Sequence, residues 1–144
     1  MVLPAPGFLD GLRALTRQHG ALLIIDETHT ISSGLGGYTR VHGLDPDMFV
    51  VGKCVAGGLP TAVWGMRPMV ADRFRAYDAA RESGHSGMGT TLSANPLQFA
   101  ALTATLRDVM TPASYARMER GAARLSRGLT RAIQRHKAPW HVVR

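Results

Sequence analysis

Two short apolar runs, ALLII at residues 21–25 and MFVV at 48–51, both stop on residues that can do chemistry: Asp26 and Glu27 after the first, Gly52 and Lys53 after the second. A continuous apolar run bounded so sharply reads as a strand covered on both faces, the habit of parallel sheets. Phe8, Leu9, Leu12 and Leu15 recur at helical spacing ahead of the first run and Gly20 stops them, so residues 8–19 are predicted as an amphipathic helix feeding the strand. Strands that each end in a charged residue fit an open α/β sheet, in which ligands gather beyond the carboxyl ends. Residues 26 and 53 are therefore where a site is expected.

The remaining segments fit the same plan. Residues 28–47 are rich in Gly, Ser and His and are predicted as a loop with one short helical turn. AGGLP (56–60) reads as a turn, TAVWGM (61–66) as a third strand before a helix opened by Pro68, and residues 78–89 as an exposed loop. Asn95 and Pro96 supply a cap and first-turn proline for a helix reaching about Met110, and Thr111 with Pro112 repeat the device.

A net charge of +7 and a pI near 10.7 raise the question of a nucleic-acid partner. Up to Thr111, nine basic residues meet nine acidic ones; the excess lies wholly in the last 33 residues, where eight basic side chains meet only Glu119. There Tyr115, Met118, Ala122, Leu125, Leu129 and Ile133 form one stripe, and arginines from Arg117 to Arg135 repeat two residues later, about 200° around a helix. A solvated outer face accounts for this, so no nucleic-acid partner is expected. No run of about 18 apolar residues exists to cross a membrane, and MVLPAPGF lacks the pattern of a signal peptide. The expectation is a soluble, cytoplasmic protein. A single cysteine, Cys54, rules out an internal disulfide, and six histidines away from zinc-ligand spacings give no reason to expect a metal.

Each site element has an ordinary structural explanation when taken alone. Together they form a plausible small-molecule site: an acid at one strand end, an amine at the next, a glycine turn beside it, and GTTLSANP (89–96) before a helix N-terminus that favours phosphate. IIDETHT, then the lysine of VVGKCVAGGLP 27 residues after Asp26, then TLSANP, resembles the signature region of class III, fold-type-I pyridoxal-phosphate enzymes. Within them the chain leans towards glutamate-1-semialdehyde aminomutase and its aminotransferase relatives.

The resemblance implies an α/β fold, part of a large cofactor-binding domain with a mostly parallel sheet flanked by helices. It implies pyridoxal 5'-phosphate held by Lys53 as a Schiff base, with Lys53 later moving the proton, and Asp26 paired with the pyridine nitrogen. Thr91 would bind the phosphate from a neighbouring subunit, with Thr90 the lesser candidate. Thr28 and His29 stand where relatives carry Val-Gln or Val-Met; they become candidates for the contact under the ring and to its phenolic oxygen, and His29 equally reads as a plain loop histidine. Glu27 and Cys54 are expected to be structural. The implied activity is amino transfer between an amine or amino acid and a carbonyl acceptor in a homodimer, with intramolecular transfer or a non-catalytic remnant as alternatives. Residues 1–111 are expected to be part of the large domain, 112–137 a long amphipathic linking helix, and 138–144 the start of a truncated small domain, cut off after its first strand. The family's phosphate loop and stacking aromatic do not occur in this sequence, so the chain alone is expected to be an inactive piece.

Overall fold

The computed structural model describes residues 3–81, 89 and 92–143. Helix α1 spans Phe8–Gln18, followed by β1, Ile24–Asp26. A 3-10 turn over Thr30–Ser33 and helix α2, Gly37–Val41, lead to β2, Met48–Val51. Another 3-10 turn, Lys53–Ala56, precedes β3, Val63–Met66, and helix α3, Pro68–Ala79. Helices α4, Pro96–Ala104, and α5, Pro112–Arg135, complete the chain.

The α/β class expected from sequence holds, with differences in detail. The described sheet has the order β1-β2-β3: β1 and β2 are parallel, β2 and β3 antiparallel, so it is mixed rather than mostly parallel. The first strand begins only at Ile24. Residues 21–23 are diverted, because the Ala21 N–H bonds back to the Thr16 carbonyl and the Leu23 N–H to Asp47 Oδ2. Nor is β1 covered on both faces: it forms an edge of the described sheet, and Ile24 is 54% exposed. The 28–47 segment holds two helical turns where one was expected. The helix from Pro96 does reach Val109, but its end widens from α into a π turn over Thr105–Val109, with the Met110 N–H on the Thr105 carbonyl. Residues 138–143 form no strand.

The core is small. Ile31, Val51 and Val55 pack with Phe49, Val63, Leu102 and Met110, so the turn after Lys53 is held between the sheet and α4. A self-contained 15.5 kDa domain exposes about 7,200 Å², whereas this chain exposes 10838 Å². Phe8, Leu97, Phe99 and Val109 are among the large apolar side chains left open. The arginines of α5 lie exposed, as its periodicity predicts, but most of its apolar stripe is also uncovered: Tyr115 alone is buried.

Asp47, read from sequence as the end of a loop, is the main polar anchor of the sheet. Arg13 grips it with two hydrogen bonds, Nη1 to Oδ2 at 2.6 Å and Nη2 to Oδ1 at 2.8 Å. Its backbone bonds both to Leu23 and to the Arg67 N–H, so one residue joins α1, β1 and the entrance to α3. The Arg13 guanidinium and the Leu23 N–H hold its carboxyl at about 2. Because this folded-state value lies below the ordinary one, the pair's stabilisation is complete above about pH 4 and is lost as the pH falls towards 2. Asp47→Asn in the intact protein should cost about 1–3 kcal/mol, since the paired hydrogen bonds from Arg13 and the Leu23 N–H lose their charged acceptor while Arg13 keeps only Asp45, at 3.5 Å. It should also flatten stability in that acid window. Urea unfolding across pH checks both outcomes.

Candidate functional site

Parallel pairing places Asp26 opposite Val50, so both strands deliver their carboxyl ends to one edge. Val51 and Gly52 are buried, and Lys53 emerges exposed immediately beyond them. Val55 and Ala56, nearly inaccessible, anchor the turn beneath the lysine, and Gly57 closes it with its N–H on the Cys54 carbonyl at a φ of 63°. Lys53 itself has a φ of 53°. A side chain in this left-handed region costs about 1–2 kcal/mol, and such backbone strain concentrates where function fixes a side chain's direction.

The Lys53 amine meets His29. Its Nζ lies 2.7 Å from His29 Nε2. His29 is carried at the start of the 3-10 turn after β1, where its carbonyl accepts from the Ser32 hydroxyl. Asp26 is exposed and accepts the Thr28 N–H at 2.8 Å. The Thr28 hydroxyl and N–H together hold the Asp26 carboxyl below its usual range, and attraction to Lys53, and to His29 in its imidazolium form, adds to the effect. Asp26 is thus a carboxylate at neutral pH, beside an amine and an imidazole.

Glu27, expected to be structural, is fully buried. Its carboxylate accepts from the Thr30 hydroxyl and from the Tyr38 and Thr39 N–H groups, which are the free first-turn donors of α2. Burial pushes its pKa up, but these bonds outweigh burial and leave it lowered. This distant cap supports the second helical turn of a loop for which the sequence suggested one. Gly37, at a φ of 76°, leaves the room required: a Cβ there would stand 2.8 Å from Glu27 Cδ. Tyr115 fixes the same loop from α5, its hydroxyl donating to the Ile31 carbonyl at 2.9 Å. Glu27→Gln should destabilise the intact protein by about 1–3 kcal/mol, because the amide turns a donor towards buried donors. Thermal unfolding measures it.

The site residues predicted from sequence therefore divide. Asp26, Thr28, His29 and Lys53 come together at the strand ends. Thr90 and Thr91 lie outside the described residues. The helix behind them begins as expected, with the Asn95 side chain accepting from the Gln98 N–H at 2.9 Å. Gln98 Nε2 in turn donates to the Pro60 carbonyl at 3.0 Å, joining the start of α4 to the turn that follows Lys53. Beside Asp26 and His29 opens a cleft of about 960 Å³, lined mainly by apolar residues of α1 and β1 such as Phe8, Leu12 and Ile24. It follows the uncovered edge of β1, and Lys53 is not part of its lining.

An ionised Asp26 and an exposed Lys53 thus stand at neighbouring parallel strand ends, a carboxylate and an accessible amine within one site. The family model for aminotransferase class-III matches residues 1–144. A glutamate-1-semialdehyde 2,1-aminomutase from Roseiflexus castenholzii is 42% identical over 133 residues, 92% of this chain and 29% of that protein. The crystal structure of a glutamate-1-semialdehyde-aminomutase from Pseudomonas aeruginosa PAO1 superposes with a TM-score of 0.93 at 49% identity, covering 100% of this chain and 33% of that one. A lysine-to-alanine variant of an aminomutase from the same organism is described in complex with PMP, and matches with a TM-score of 0.94. An omega-transaminase from Sphaerobacter thermophilus gives a TM-score of 0.81 at 32% identity, over 97% of this chain and 31% of that one. The chain thus spans about a third of the length of these relatives.

Proposed function

This chain belongs to the class-III aminotransferase family, and from that membership we propose that the intact protein uses pyridoxal 5'-phosphate to move an amino group from an amine or amino acid to a carbonyl acceptor. Its α/β fold is part of the large cofactor-binding domain of fold-type-I enzymes. The observation that carries the reading is the placement of an ionised Asp26 and an accessible Lys53 at adjacent parallel strand ends.

When bound, the cofactor supplies an aldehyde for amines and a ring that accepts electrons from a breaking Cα–H bond. Lys53 Nζ would hold it covalently and, once displaced, carry the proton removed from substrate. Asp26 would face the ring nitrogen, and its negative charge keeps a proton there. Thr28 orients Asp26 by donating to it. His29 would lie towards the phenolic oxygen, and Thr91, or less favourably Thr90, would bind the phosphate from a partner subunit.

The homodimer is likewise proposed, supported by apolar surface that this chain leaves uncovered. Residues 1–111 would form part of the large domain, 112–137 its linking helix and 138–144 the approach to a small domain. Among the described residues no helix is long and apolar enough to cross a membrane, and we place the protein in the cytoplasm.

The test is to mix the intact protein, loaded with pyridoxal phosphate, with single amino donors and quantify the aminated cofactor by chromatography. Stoichiometric amination, reversed by a carbonyl acceptor, is expected. No amination by any donor would favour a non-catalytic remnant. The names of the relatives at 42% and 49% identity support a second reading, intramolecular amino transfer. Conversion of glutamate 1-semialdehyde without a second acceptor would select it.

A further inference from the structure

We propose that His29 is the proton partner of Lys53: its Nε2 takes the proton that the Lys53 amine must release before it can attack a carbonyl, and returns it when the amine leaves. This rests on the reading of Lys53 as the reactive amine.

The contact itself is the first argument. A surface lysine beside a carboxylate ordinarily pairs with it, yet among the described residues Lys53 makes no ion pair, and its hydrogen-bond partner is the imidazole at 2.7 Å. That distance lies within the range for proton transfer. Nε2 can accept when Nδ1 carries the ring proton. In the step, the electrons of one Nζ–H bond return to Lys53 nitrogen as its lone pair, and the Nε2 lone pair forms the new N–H bond.

The surroundings give the pair its directions. Lys53 is aimed by its left-handed backbone over the buried Val55 and Ala56. His29 is aimed by the turn that Glu27 and Tyr115 hold through Thr30 and Ile31. The charged group beside both is Asp26, whose ionisation is favoured by Lys53 and by the imidazolium form of His29; an imidazolium left after proton transfer is therefore stabilised by a carboxylate already present. Cys54 and Tyr38 are the other titratable groups nearby, one adjacent to Lys53 in the chain and one lining the same cleft as His29.

The test uses the intact protein without cofactor. Wild type, His29→Ala and His29→Gln are treated near neutral pH with N-hydroxysuccinimidyl acetate, and acetylation of Lys53 is followed by peptide mapping with Lys137 as reference. Parallel samples receive pyridoxal 5'-phosphate and borohydride. Both variants should label Lys53 about tenfold or more slowly relative to Lys137, and free imidazole should restore the His29→Ala rate in proportion to its concentration. Wild-type labelling in either variant overturns the proposal. So does slow labelling in folded His29→Ala that imidazole leaves unchanged, because that is the signature of a merely structural histidine. Should His29→Ala fail to fold, His29→Gln decides alone. If pyridoxal phosphate does not attach at Lys53 in wild type while acetylation still depends on His29, the cofactor reading fails and the proton pair stands.

Discussion

Lys53→Ala in the intact protein is expected to release pyridoxal phosphate on dialysis and to lower amino transfer by at least about 10²–10⁴-fold, the contribution of a positioned proton carrier alone. Loss of the covalent hold adds to that figure. Lys53→Arg should be no better, since a guanidinium keeps its charge and cannot act as a free amine. The backbone makes a second, independent part of the prediction. Lys53 adopts a φ of 53°, which alanine shares at a cost and glycine adopts freely. Lys53→Gly should therefore be more stable than Lys53→Ala by about 1 kcal/mol, although both are inactive. Paired thermal unfolding and single-turnover assays test the two halves. Equal stability of the variants would mean that the strain at the lysine is not real, and near-normal turnover in either would remove Lys53 from the mechanism.

Asp26→Asn is expected to leave the fold and measurable cofactor binding intact while slowing the proton-transfer half-reaction by about 10²–10³-fold. A partner aimed at charge that develops in the reaction is worth on the order of 10²–10³ in rate, and Asp26 would be that partner for the ring nitrogen. The amide carbonyl still accepts the Thr28 N–H, so the turn after β1 keeps its shape. It cannot oppose a positive ring nitrogen. The Thr28 donors and attraction to Lys53, and to His29 in its imidazolium form, keep the wild-type carboxyl below its usual range. Protonation of Asp26 should therefore cost no activity from about pH 4 upward, and any acid limb of the rate profile above that belongs to other groups. Stopped-flow absorbance of the bound cofactor after mixing with an amino donor measures the rate. A half-reaction close to wild type would exclude Asp26 from electron withdrawal.

The meeting of Asp26 and Lys53 at one edge was legible because both stand where apolar runs stop. ALLII and MFVV end on Asp26 and Lys53, and parallel pairing brings those ends together. Capping signals were equally plain: Asn95 and Pro96 open α4, and Thr111 and Pro112 open α5, as written in the sequence. What escaped was carried by partners far apart in the chain. Asp47 looked like loop punctuation, and its grip on Arg13, 34 residues away, has no local signature. Residues 28–47 hold two helical turns where the sequence suggested one, because the α2 N–H groups are capped by Glu27 rather than by a neighbour. The covered first strand was over-read: an apolar run states that cover is needed, and most of that cover for Ile24 is not provided by this chain. His29 was balanced between ligand and loop in the sequence, and the structure places its Nε2 2.7 Å from the Lys53 amine.

The attachment of the cofactor is the claim on which the rest depends, and one measurement reaches it directly. The intact protein, loaded with pyridoxal 5'-phosphate, is reduced with borohydride, digested and mapped by mass spectrometry. The pyridoxyl group is predicted on Lys53, within the peptide containing MFVVGKCVAGGLP. Its recovery on Lys137 or on a lysine outside this chain, or a retained cofactor that borohydride fixes nowhere, would contradict the account.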